Sequence, residues 1–177
     1  ASRPVFRSAT LSRSRKHTLW SAVRANGPRT EGKPRVDSVK TYAGADEVPI
    51  AALIDRALKE RLTPDAPHKH GIVVEGFAYD GKPHQFQMPI LQTAMYQHGI
   101  PVAVANRGDH GRVSKLVDNP FISCDNLMAV KARLLLILAL EKLGTLTPFA
   151  NVNNPSSEDR VRLEQELSRY QEIFDTH

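Results

Sequence analysis

Gly71-Ile72-Val73-Val74 and Ile100-Pro101-Val102-Ala103-Val104, followed by Lys131-Ala132-Arg133-Leu134-Leu135-Leu136-Ile137-Leu138-Ala139-Leu140, decide how the region from His70 to Leu143 folds. Short runs with no polar interruption suit strands buried on both faces, which is the environment of a parallel sheet. Between them, Gln87 to His98 carries Ile90, Leu91, Ala94 and Met95 at helical spacing, so the connection is a helical crossover ended by Gly99. Upstream, Val36 and Val39 alternate with polar residues over Arg35 to Tyr42 and predict a first strand. Ile50, Leu53, Ile54, Ala57 and Leu58 predict a helix over Glu47 to Leu62, with Pro49 in its first turn and acidic Asp46 and Glu47 at its positive end.

Downstream, Phe121-Ile122-Ser123-Cys124 predicts a short fourth strand. Asp125 is then expected to cap a long helix from about Asn126 to Lys142, and Ser156-Ser157-Glu158-Asp159 to open a last helix reaching Phe174. The expected fold is α/β: a small parallel sheet of about four strands flanked by helices, flavodoxin-like or Rossmann-like. Residues 35–177 form this domain and residues 1–34 an irregular basic arm, broken by Asn26-Gly27-Pro28 and Gly32-Lys33-Pro34.

Charge follows the same division. The 177 residues carry a net +5, yet residues 1–40 hold 10 of the 24 Lys and Arg against only Glu31 and Asp37. The excess is confined to one segment without a stacking platform, which disfavours nucleic acid as a partner of the domain. A lone cysteine, Cys124, excludes an intrachain disulfide and suits a cytoplasmic setting, with the periplasm left open. No apolar run has the roughly 20 residues of a membrane helix.

Constellations that resemble reactive sites are incomplete. His68, His70 and His84 lack the spaced carboxylate or cysteine partners of a zinc site, so they read as solvated loop residues and no metal is expected. Asp109, His110 and Ser114 contain triad residue types without a nucleophile elbow. Cys124, inside an apolar run, reads as a small core residue. The helix around Leu134 to Leu140 is apolar around most of its circumference, so part of it is expected to face another domain or a second subunit. Lys131 and Arg133 near its start are expected to meet acids or that other domain.

The ordered series Tyr42-Ala43-Gly44-Ala45-Asp46, Gly71-Ile72-Val73-Val74-Glu75-Gly76, Gly99-Ile100-Pro101-Val102, Gly111-Arg112-Val113 and Asp125-Asn126-Leu127 with Lys131-Ala132-Arg133 resembles the C-terminal domain of the bacterial-type L-asparaginase and glutaminase family. Tyr170-Gln171-Glu172-Ile173-Phe174 resembles that family's terminal helix, and Ser2 to Thr10 the tail of its N-terminal domain. The resemblance implies a cofactor-free amidohydrolase that converts L-asparagine, in some members L-glutamine, to the acid and ammonia. It implies a missing N-terminal domain bearing the threonine nucleophile and its Thr-Asp-Lys relay, because the Thr-Gly-Gly-Thr and Thr-Asp-Thr signatures are absent from this sequence. The chain alone is therefore expected to be inactive.

In that family the smaller domain reaches a neighbouring subunit's active site within a homo-oligomer, dimer or tetramer. Two positions carry this expectation here. Gly44 stands where the family often has asparagine, and Asp118 is the candidate for a carboxylate in the loop after the third strand. An alternative from another class is a stand-alone regulatory module binding a small amino acid, L-asparagine or L-aspartate, at Arg107, Asp109 and His110. A third is a relative of the tRNA-dependent amidotransferases, with the basic arm as nucleic-acid surface.

Overall fold

A computed structural model describes residues 32–64, 66–78, 80–108, 113 and 120–176. The described chain begins at Gly32, so the basic arm expected over residues 1–34 lies almost entirely outside the described residues.

Four strands, β1 (Arg35–Lys40), β2 (His70–Glu75), β3 (Val102–Ala105) and β4 (Ile122–Ser123), form one parallel sheet in sequence order. β2 and β3 are central, and their uninterrupted apolar runs are buried on both faces. β1 is an edge strand and keeps the alternation that marks one, with Val36 and Val39 buried between more exposed neighbours.

Helices α1 (Val48–Arg61) and α2 (Met88–Tyr96) are the crossovers β1 to β2 and β2 to β3. Right-handed crossovers place both on one face, where they pack on each other. Ile50, Ile54 and Ala57 of α1 and Leu91, Ala94 and Met95 of α2 supply that half of the core. Helix α3 (Ala129–Leu143) crosses β1, β2 and β3 on the opposite face and buries Ala132, Leu135, Leu136, Ala139 and Leu140. Helix α4 (Ser157–Asp175) packs on α3 and β4. The four-stranded parallel sheet with flanking helices agrees with the sequence expectation.

The start of α3 does not. Asp125 takes φ +47 in the turn after β4, and the helix begins four residues later, at Ala129, behind an extended Met128 that makes no side-chain cap bond. Asp125 is occupied in that turn, with its carbonyl accepting from the Val113 N–H at 3.0 Å. Arg133 also departs from expectation: its Nε donates to the Val36 carbonyl at 2.7 Å, tying α3 to the edge strand. The start of α4 is as expected, with Ser156 and Asp159 closing a reciprocal capping box.

The outer edge of β4 is closed by a side chain. The Gln171 amide accepts from the Ser123 N–H at 2.9 Å and donates to the Ser123 carbonyl at 3.0 Å, as a neighbouring strand would. The connection from α3 to α4 is pinned by Leu146 N–H to Gly99 O, by Phe149 N–H to Tyr96 O, and by stacking of the Tyr96 and Phe149 rings at 4.8 Å.

Candidate functional site

Parallel strands in register bring their carboxyl ends to one edge of the sheet, and the following residues, Thr41, Gly76 and Asn106, become neighbours there. The Thr41 N–H donates to Glu75 O and the Gly76 N–H to Ala105 O, each at 2.8 Å. Gly76 is required by packing, since a Cβ would sit 1.8 Å from the Gly81 carbonyl oxygen of the β2–α2 loop.

Three side-chain arrangements organise this edge. The buried Thr41 hydroxyl donates to Gln87 Oε1 at 2.8 Å, and the same oxygen accepts from the His84 N–H at 3.3 Å. This fixes the end of β1 to the start of α2. Arg107 spans the ends of β1 and β2: its Nε lies 3.0 Å from Glu75 Oε1, and another guanidinium N–H donates to the Thr41 carbonyl. Asn106 is buried; its Oδ1 accepts from the Gly108 N–H at 2.6 Å, while its Nδ2 has no hydrogen-bond partner among the described residues.

Thr41 leads into an exposed turn. The Ala45 N–H donates to the Tyr42 carbonyl at 3.0 Å, and Gly44 occupies the third position with φ +83. That is the geometry of a type II turn, which admits glycine or asparagine there. Among the described residues, nothing lies within 4 Å of where a Gly44 side chain would start. Tyr42 and Phe86 are both exposed beside this edge.

The sequence-derived candidates distribute unevenly over this geometry. Gly44 and Arg107 meet at the edge through the Thr41 turn, whereas Asp109, His110 and Asp118 lie outside the described residues. Thr41, Glu75 and Gln87 were not singled out from the sequence. The available signal was positional: a polar residue directly after a strand or at a helix start in a parallel domain.

Elsewhere, His70 is not the solvated loop residue expected. It opens β2 at 3% exposure and makes a 2.7 Å hydrogen bond from Nε2 to the Pro67 carbonyl. Its Nδ1 faces Glu60 Oε2 at 3.7 Å, and burial pushes the imidazole below its ordinary value despite that carboxylate. Cys124 is buried in the core, where desolvation pushes the thiol up and away from the reactive thiolate. No cluster of three or more potential metal ligands occurs among the described residues.

Chemically, the edge can bind and orient polar groups. The Thr41 hydroxyl donates to an amide oxygen, which cannot take its proton, so no general base activates it. Fold and edge thus define a parallel α/β domain with a polar rim at the carboxyl edge of its sheet and, among the described residues, no nucleophile paired with a base.

The chain belongs to the glutaminase/asparaginase C-terminal domain family, whose model matches residues 35–148. A probable cytoplasmic L-asparaginase from Campylobacter jejuni is similar in structure, with a TM-score of 0.57 and 26% identity over 81% of this chain. The match covers 36% of that relative, so this chain spans little more than a third of its length. No curated protein matches the sequence. No helix among the described residues is long and apolar enough to cross a membrane.

Proposed function

We propose that this domain is the supporting half of an amidohydrolase that converts the side-chain amide of L-asparagine, or L-glutamine, to a carboxylate and ammonia. The nucleophile and its proton relay reside in an N-terminal catalytic domain, and the chain alone is inactive. Its role is to pack against that domain, to support a homo-oligomer, and to present the Tyr42–Ala45 turn to a neighbouring active site in the cytoplasm. The observation that carries this reading is the turn itself: an exposed, open Gly44 held at the carboxyl edge of the sheet by Arg107 and Thr41.

Gly44 offers backbone where an asparagine would offer an amide, so the contact made here is steric and main-chain. Asp118 is the proposed carboxylate contribution from the loop after β3. No cofactor or metal enters this chemistry, since amide hydrolysis through a hydroxyl nucleophile needs only a base and oxyanion donors.

The test is a chimera in which residues 35–177 replace the matching part of the Campylobacter enzyme. Ammonia release from L-asparagine by the chimera supports the reading, and Gly44→Asn in that chimera is expected to change KM more than kcat. A folded, oligomeric chimera without activity contradicts it. The amino-acid-binding alternative at Arg107, Asp109 and His110 predicts a thermal shift of the chain alone with L-aspartate. The Arg107 guanidinium is already engaged by Glu75 and Thr41, which favours the supporting role.

A further inference from the structure

The solvent side of α3 carries apolar surface that the fold does not use. Val130, Leu134 and Leu138 recur every four residues and are 71%, 61% and 65% exposed, while the opposite side of the helix already fills the core. Alanine, lysine or glutamate would sustain a helix there at least as well, and valine is a poorer helix former than any of them.

The charges along this face are ordered. Lys131, Leu134, Leu138 and Glu141 fall at spacings of three, four and three residues, the seam of a two-helix packing. Lys131 is exposed and has no ion-pair partner among the described residues. The Glu141 side chain is 61% exposed and, among the described residues, forms its ion pair with Lys69 at 3.6 Å. Turning the seam end for end about a two-fold axis between Leu134 and Leu138 lays each leucine on the other and brings Lys131 opposite Glu141 of the second copy. Parallel pairing would oppose lysine to lysine and glutamate to glutamate. The face is self-complementary in the antiparallel sense alone, as a two-fold contact requires. Beside the seam, a groove of about 500 Å³ between α3 and α4, lined in part by Leu138, Lys142, Glu172 and Ile173, adds apolar area.

We propose that α3 packs antiparallel against α3 of a second copy of this chain, through the seam Lys131, Leu134, Leu138 and Glu141. This inference rests on the homo-oligomer part of the proposed function and names the surface that would carry it; the amide chemistry is tested separately.

Sedimentation velocity of the 177-residue chain from about 1 µM to about 1 mM tests it across the range of weak self-association. The expected result is a reversible dimer, abolished by Leu134→Asp and weakened about tenfold by Lys131→Glu through like-charge opposition. The exchange Lys131→Glu with Glu141→Lys is expected to restore association to within about threefold of the parent. Far-UV circular dichroism should match for every variant, because all three positions are exposed. A parent chain that stays monomeric overturns the proposal and assigns this face to a different polypeptide. A dimer that survives Leu134→Asp, or a charge exchange that fails to rescue, overturns it as well.

Discussion

At the scale of single residues, His70 and Gly44 show how local environment changes what a residue type means. Burial of His70 favours the neutral ring and outweighs the Pro67 carbonyl at Nε2 and the Glu60 carboxylate, which both favour the charged form. Its folded-state pKa lies below the unfolded value of about 6.5, so the unfolded chain takes up the proton first as pH falls. Stability from this group is therefore full above about pH 6.5 and is lost on acidification down to the depressed folded value. Thermal unfolding as a function of pH should show this loss in the parent and a shallower slope in His70→Gln; equal slopes would contradict the assignment. Gly44, at φ +83 in open space, should accept asparagine with little change in melting temperature, whereas Gly44→Val should cost about 1–2 kcal/mol. The sequence placed Gly44 in a turn correctly, but the burial of His70 was hidden because a histidine beside Pro67 and Lys69 looks solvated in one dimension.

Among the elements, strands and helices were legible wherever apolar periodicity was strong. β2 and β3 followed from unbroken apolar runs, and α4 from its capping residues. What the sequence could not display was partnership across the fold, as in Arg133 reaching the Val36 carbonyl or Gln171 standing in for a fifth strand. Asp125 misled for a related reason: an aspartate before an apolar run is a good cap by composition, but here φ +47 commits it to the turn after β4. Gln171→Ala removes both bonds to Ser123 and should destabilise the domain by about 1–3 kcal/mol, as read by urea denaturation. An unchanged midpoint would mean that water satisfies the β4 edge equally well.

For the whole molecule, the parallel sheet gathers Thr41, Glu75, Asn106 and Arg107 at one edge from distant parts of the sequence. Among the described residues of that edge, the buried Thr41 hydroxyl is paired to an amide oxygen and the buried Ser123 hydroxyl to the Val113 carbonyl, neither of which is a base. The polar run after β3 and the family's ordered motifs pointed to this edge from sequence, but the pairing of Thr41 with Gln87 did not show, because the two are separated by 46 positions and carry no motif of their own. The central claim is that the domain supports amide hydrolysis without performing it. The direct measurement is ammonia released from L-asparagine by the purified 177-residue chain, followed with a coupled dehydrogenase assay. The account predicts no release above the uncatalysed background at any enzyme concentration. Saturable release that scales with the chain's concentration would contradict it.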